Sequence, residues 1–241
     1  MPESLLNTET RKAGLPEGLT PSSARRGATI AAATLGDAWL DVARLILAHG
    51  ADSTFDGLPL IEVALVTLDI ARPDPDDALI AGHASADWLK WMRANFTDHS
   101  RVAELGDARS YASRLFDYAG AGRDQIASVV ERLTRDPVAS NATITTFEPL
   151  TDTSYIPCVS LLDFWRRAGA LELVVYAHSI DFGKKGFGNL VQLAELQRHV
   201  ATRLDAPVGS LAMIVKSATI YKSEIGLMRD TLAAARDGDA P

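Results

Sequence analysis

The sequence contains one cysteine, Cys158, in 241 residues. A lone thiol leaves no internal disulfide and no cysteine-rich metal site, which excludes the disulfide-stapled secreted scaffolds. Long apolar runs are also missing: no stretch reaches the 18 or so residues a membrane span needs, and the first thirty lack the basic start and apolar core of a signal peptide. The expectation is a cytoplasmic chain that neither spans nor crosses a membrane. Positive charge is in deficit. With 24 Lys+Arg against 31 Asp+Glu the net charge is -7, the wrong sign for a protein that neutralises many phosphates, so nucleic acid is not an expected partner. Local motifs are scarce too: there is no Gly-rich phosphate loop, no pair of histidines at ligand spacing and no serine-centred hydrolase elbow. No metal site is expected.

What remains is a chain that is 47% apolar, enough for one domain or at most two small ones. Residues 1–33 mix Pro, Ser, Thr, Gly and charge without apolar periodicity and read as a mobile arm, which leaves 34–241 as a single domain. Ala38, Trp39, Val42, Leu45 and Ile46 recur at helical spacing, with Thr34 as cap and Gly50 as stop. Leu58 to Ile70 is an extended run that ends at Arg72-Pro73-Asp74-Pro75, and 71 to 80 reads as a surface connection. A helical pattern over about 85 to 95 crowds Trp88, Leu89, Trp91 and Met92 on one side, and a polar segment follows up to Tyr111. Ile126, Val129, Val130 and Leu133 define a helix that stops at Asp136-Pro137. Strand patterns then cover Ala142 to Phe147, Val159 to Trp165, Leu171 to His178 and Leu211 to Tyr221, with one long helix over about 187 to 204 between the last two. Such an order gives an α+β sheet domain instead of an alternating parallel one.

From about Asp136 to Tyr221 the chain resembles the thymidylate synthase family, which includes the pyrimidine nucleotide hydroxymethylases. The pieces are Asp136-Pro137 ahead of a strand, Pro157-Cys158, Ser179-x-Asp181, Asn189 eight residues further on, Val208-Gly209 and Ile220-Tyr221, all in one register. The resemblance implies a twisted mixed sheet packed on a long central helix, a homodimer, and a small-molecule substrate. It also implies covalent catalysis: Cys158 adds to C6 of a uracil-like ring, and C5 then attacks a one-carbon unit carried by methylenetetrahydrofolate. Asp87 and Tyr111 join Cys158 in the catalytic set, although the family has Glu where Asp87 stands. Asn189, Tyr221, Ser179, His178 and Asn141 would bind the substrate, and Asp181 the folate pterin. An amide at 189 suits an imide edge, because it accepts from N3–H and donates to O4.

The departures from the family pattern bear on the substrate. The family grips a 5'-phosphate with arginines, and here those places hold His178, Ser140-Asn141 and the arginine-free Asp52-Ser53-Thr54-Phe55-Asp56. A pocket end of Ser53, Ser140, Asn141, His178 and Ser179 should be neutral or weakly polar, so the expected acceptor lacks a 5'-phosphate. Lys184 and Lys185 lie close in sequence and could compensate for the missing arginines, although a lysine pair in a Gly-flanked turn is usually a solvated loop. Val159, Asp163 and Thr219 replace family His, Gln and His, and no counterpart of the family's closing tail is seen after Met228-Arg229. A methyl or hydroxymethyl transferase of specialised nucleoside or antibiotic metabolism is the first expectation, and a non-catalytic descendant used for ligand binding or assembly is the alternative. On the first, Cys158 lies at the floor of the main pocket and faces Asn189 and Tyr221.

Overall fold

A computed structural model describes residues 26–152 and 155–238. In chain order the elements are β1 (Arg26–Ala32), α1 (Leu35–His49), β2 (Ala51–Phe55), β3 (Leu58–Ile70), α2 (Ala78–His83), α3 (Ala86–Thr97), β4 (Arg101–Val102), β5 (Ala108–Arg109), α4 (Tyr111–Phe116) and α5 (Gln125–Arg135). Then follow β6 (Ala142–Thr145), β7 (Val159–Arg167), β8 (Ala170–Ala177), β9 (Ile180–Asp181), α6 (Gly186–Arg203), β10 (Val208–Tyr221) and α7 (Ile225–Gly238). Eight strands form one mixed sheet in the order β1-β3-β10-β8-β7-β6, with β2 beside β3 and β9 beside β10. The β1–β3 and β8–β10 pairs are parallel, and β3–β10, β7–β8 and β6–β7 are antiparallel.

The helices gather on one face of this sheet, as their apolar periodicity requires. α1 buries Leu35, Trp39, Val42 and Ile46, and its Thr34 cap accepts from Asp37 N–H at 3.2 Å. α6 buries Phe187, Leu190, Leu193 and Val200. These side chains meet the inward row Val66, Leu68, Ile70, Leu211, Met213, Leu173 and Val175. On the opposite face Leu161, Trp165, Tyr176 and Ile214 remain exposed. Among the described residues no helix is long and apolar enough to cross a membrane.

Two stretches differ from their sequence-based expectation. Arg26–Ala32, within the presumed arm, pairs parallel with β3 as β1. Residues 27–32 are mostly half-buried or exposed, so the strand carries little of the apolar alternation that would betray it. Residues 1–25 lie outside the described residues. The second is the surface connection expected over 71 to 80, whose end starts α2 and buries Ile80. Beyond Tyr221, α7 packs Met228 and Ala235 into the core.

Strand register decides where the site forms. The β1–β3 ladder skips Gly27 and Leu65, and the β3–β10 ladder skips Leu65 and Lys216. In the same row β8 ends at Ala177, β9 resumes at Ile180, and Ser160 is extra between β7 and β8. Leu65 sits at φ 58 and Gly27 at φ 75, so the break is built into the backbone. It resets the two-residue period, which is why Val63 and Val66 are both buried, as are Val215 and Ala218.

A buried ion pair anchors the loop ahead of β7. Arg114 of α4 donates to both Asp152 oxygens at 2.7 and 2.8 Å, to Thr146 O at 2.8 Å and to Arg109 O at 2.9 Å. Both side chains are nearly sealed, at 2% and 7% exposure. Truncating one partner strands the other charge in a low-dielectric site, at a cost of about 3–5 kcal/mol. Asp152→Ala should therefore lower the unfolding free energy by about that amount in urea denaturation, with Thr143→Ala on exposed β6 as the near-neutral control.

Candidate active site around Cys158

Cys158 lies in the bend that enters β7, on the row where the ladders break. Its position is fixed from both sides. Its carbonyl accepts from His178 N–H at 3.0 Å, and the next residue, Val159, donates its N–H to the Tyr111 hydroxyl at 3.0 Å. Thr146 donates its hydroxyl to Val159 O. Tyr111 is itself held by a stack on Phe96 at 4.4 Å and by its N–H to Asn95 Oδ1 at 3.0 Å. The thiol is free and the residue is half-buried. Burial pushes its pKa up, Lys185 pulls it down, the Asp181 carboxyl pushes it up again, and a hydrogen bond with the Tyr155 hydroxyl lowers it.

Asp181 belongs to β9 and pairs with Thr219 of β10. Its Oδ1 accepts from Gly183 N–H at 3.0 Å. Burial first, then the neighbouring Glu224 carboxyl, push its pKa up to about 7. Tyr221 ends β10, and its pKa is raised by burial and by Asp181, Glu224, Cys158 and Asp56. Asn189 is buried in the first turn of α6, with Nδ2 donating to Lys185 O at 3.3 Å. The residue capping that helix is Lys185, so Asn189 is not an N-cap. Cys158, Asp181, Tyr221 and Tyr111 thus lie near enough to bear on one another's charge, brought together by the β7 entry, β9, the β10 end and α4, and Asn189 stands in the first turn of α6 against Lys185.

Other expected residues are placed differently. Asp87 stands exposed in the first turn of α3; its neighbour Trp88 is the side chain that lies under Lys184 and Lys185. Asn141 opens β6 at the end away from Cys158, next to the Ala142–Phe164 pair, and accepts from Arg132 at 3.1 Å. Antiparallel pairing separates it, with Ser140, from the Cys158 of its own chain. His178 and Ser179 follow β8 on the same row as the thiol. Ser53 of β2 pairs with Leu60, which pairs with Tyr221. The marked cavities are elsewhere: one of about 530 Å³ between β1 and α1, another of about 460 Å³ among α2, α3 and α6. Cys158 lines neither of these two cavities.

Two contributors, Tyr155 and Glu224, escaped the sequence reading, and the lysine pair it named is placed differently from its first expectation. Tyr155 sits two residues before Pro157, a proximity that could have flagged it. Glu224 carries no local signal, since it reaches Asp181 only through the β9–β10 pairing. Lys184 and Lys185 are not a free solvated turn: Lys184 Nζ lies 4.6 Å from the Trp88 ring centre, and Lys185 Nζ lies 5.4 Å from both Trp88 and Trp91. The phosphate-end residue His178 is held more neutral than usual by burial and then by Lys216, and its Nδ1 is buried without a partner. No group of three His, Cys, Asp or Glu among the described residues could hold a metal ion.

A mixed sheet with helices packed on one face places the chain among α+β proteins. Residues 76–240 match the family described as Thymidylate synthase, and the chain belongs to that family. A protein of Methanosarcina barkeri named "Putative thymidylate synthase" is 29% identical over 203 residues, covering 81% of this chain and 90% of that protein. A protein of the same name from Methanothermobacter thermautotrophicus is 34% identical over 138 residues, 55% of this chain and 61% of its own. The "Deoxyuridylate hydroxymethyltransferase" of Bacillus phage SP01 is 36% identical over 109 residues, 43% of this chain and 28% of that protein.

The raised pKa of Asp181 has a consequence for stability. Between the ordinary 3.8 and about 7 the folded chain keeps a proton that the unfolded chain has released, so stability falls as pH rises through that window and levels off above it. Asp181→Asn cannot titrate. The variant should gain on the wild type from pH 4 to 7, by at most about 1.4 kcal/mol per pH unit, in denaturation series at each pH.

Proposed function

We propose that the protein is a one-carbon transferase in which Cys158 adds to C6 of a uracil-like or other electron-rich ring that lacks a 5'-phosphate. The observation that carries this reading is the placement of the chain's sole thiol beside Lys185, Tyr155, Asp181 and Tyr221. A buried thiol is a weak nucleophile until a cation and a hydrogen-bond donor favour its anion, and Lys185 and Tyr155 are the groups placed to do so. They stand in for arginines that the family pattern has and this chain lacks. Asn189 reads the imide edge, Tyr221 offers its hydroxyl to the polar end of the acceptor, and Tyr111 holds the nucleophile's strand in place through Val159.

Methylenetetrahydrofolate fits as the one-carbon donor. Asp181 keeps acceptor lone pairs beyond those that Gly183 and Glu224 engage, and Lys184 and Lys185 have no carboxylate within salt-bridge reach among the described residues. Asp181 would take the pterin N–H groups, and the lysines would meet the carboxylates of its glutamate tail. When bound, the folate supplies an electrophilic one-carbon unit at its reactive nitrogens. The relative named for hydroxymethyl transfer to deoxyuridylate supports transfer chemistry of this class.

Loss of phosphate binding follows from the charges at the acceptor's far end. His178 is neutral at pH 7, and the β2–β3 hairpin presents Asp52, tied to Lys222 at 2.7 Å, and Asp56. Neutral donors do not offset the desolvation of a dianion. Intact mass should show a ligand adduct on the wild type that Cys158→Ala abolishes, and calorimetry should give dUMP no advantage over deoxyuridine or uridine. An absent adduct with all three would favour the non-catalytic reading, and a dUMP affinity that vanishes without phosphate would refute the phosphate claim.

The reading includes a homodimer formed through the open sheet face, where Leu161, Trp165, Tyr176 and Ile214 await cover. In that assembly Ser140 and Asn141 would serve the partner's cleft. Light scattering at micromolar concentration should give twice the 25.9 kDa chain mass, and Ile214→Asp with Tyr176→Asp should return it to the monomer.

A further inference from the structure

Glu224 follows β10 in the single turn Lys222–Glu224, which folds its carboxyl back over Gly183. A Cβ at position 183 would stand 2.6 Å from Glu224 Oε2, so only glycine admits this approach. Gly183 is also the residue whose N–H binds Asp181 Oδ1. The two carboxyl groups therefore meet across one glycine. Glu224 Oε2 is sealed from solvent and meets no donor among the described residues. Two ionised carboxylates are acceptors only, whereas a proton on either one gives the other its missing donor and makes the pair hydrogen-bonded. Among the groups around the cleft, Glu224 is the one that nothing above employs.

We propose that Glu224 is a positioning residue that acts through Asp181: at neutral pH one proton is shared in a hydrogen bond between the two carboxyl groups, so Asp181 meets the cleft as an acceptor without the full charge of a carboxylate. The surroundings agree. The groups facing the pair are Lys185 at the start of α6, Cys158 ahead of β7 and Tyr221 at the end of β10. Lys185 is the lone cation of these, and it lowers the Asp181 pKa by less than burial and Glu224 raise it, which leaves about 7. With its proton turned to Glu224, Asp181 offers the cleft an acceptor for a ring N–H. An ionised carboxylate there would hold adjacent N–H donors more tightly and would repel a thiolate at Cys158. The pair thus sets the charge that a pterin or pyrimidinone N–H meets in the cleft, an inference that rests on Asp181 facing the heterocycle as proposed above.

The test separates the pair from that reading. Infrared spectra of the ligand-free full-length chain between pH 5 and 9 should show a buried carboxylic-acid C=O band at neutral pH that fades as pH rises past about 7. In Glu224→Gln the amide donates to Asp181, Asp181 ionises, and the band should be absent at pH 7; Asp181→Asn should lose it as well. Affinity for tetrahydrofolate, read by fluorescence quenching, should rise as pH climbs through that midpoint in the wild type, and stay flat in Glu224→Gln. A band that is missing from the wild type at pH 7, or that persists in either variant with its circular dichroism intact, overturns the proposal. A band that behaves as expected in a protein that binds no tetrahydrofolate at any pH upholds the pair and overturns the folate reading instead.

Discussion

The cleft depends on a buried guanidinium. Arg114 cannot shed its charge, so sealing it inside the protein is tolerable only with every donor occupied, and the occupants come from three separate segments. Asp152 takes the fork, Thr146 and Arg109 take the remainder, and Gln125 of α5 accepts the arrangement by donating to Arg114 O at 3.0 Å and Thr145 O at 2.7 Å. Asp152 in turn accepts from Glu148 N–H at 2.7 Å. The segment after β6, which has no regular structure of its own, is thereby fastened at Thr146, Glu148 and Asp152. A chain leaving Asp152 has only a short run before it must enter β7 at Cys158, so satisfying one arginine restricts where the thiol can be.

The second restriction comes from the sheet. A register break confined to one strand would flip that strand's apolar side chains to the wrong face. Because it runs through β1, β3, β10, the β8–β9 junction and β7 as one row, inward residues stay inward on both sides. Backbone groups along the row are released from ladder pairing and taken up locally, as in the His178 N–H bond to Cys158 O. Polar side chains can face the cleft there without displacing a core residue. The fold thus opens a polar site in a largely apolar sheet by a local change of period, with the Leu65 backbone conformation at φ 58 as its visible strain.

Much of this architecture was legible. α1 with its Thr34 cap, the run Leu58–Ile70 and the halt of α5 at Asp136 follow from local rules, because each is set by residues a few positions apart. Cys158, Asp181, Asn189 and Tyr221 were legible as a register of family-like spacings. What escaped was long-range. β1 is an edge strand with little apolar alternation, and the Arg114–Asp152 pair spans 38 residues. Glu224 meets Asp181 only once β9 and β10 are paired. Asp87 was at best a counterpart of the family's Glu, and α3 leaves it exposed and presents Trp88 to the lysines, since the apolar stripe of a helix and not its charge pattern decides which face turns inward.

The charges around the thiol form one coupled system. Thiolate formation at Cys158 is opposed by burial and by the Asp181 carboxyl and favoured by Lys185 and Tyr155. Two anions close together in a poorly solvated cleft repel strongly, so ionised Asp181 and ionised Cys158 each make the other costly. A proton held on the Asp181–Glu224 pair removes part of that repulsion, and the Lys185 charge then acts on the sulfur with less competition. A chain that replaces several family arginines with neutral residues has little positive charge to spend on a nucleophile. Lowering the local negative charge is the other way to reach the same electrostatic end, and it requires no additional cation in the cleft.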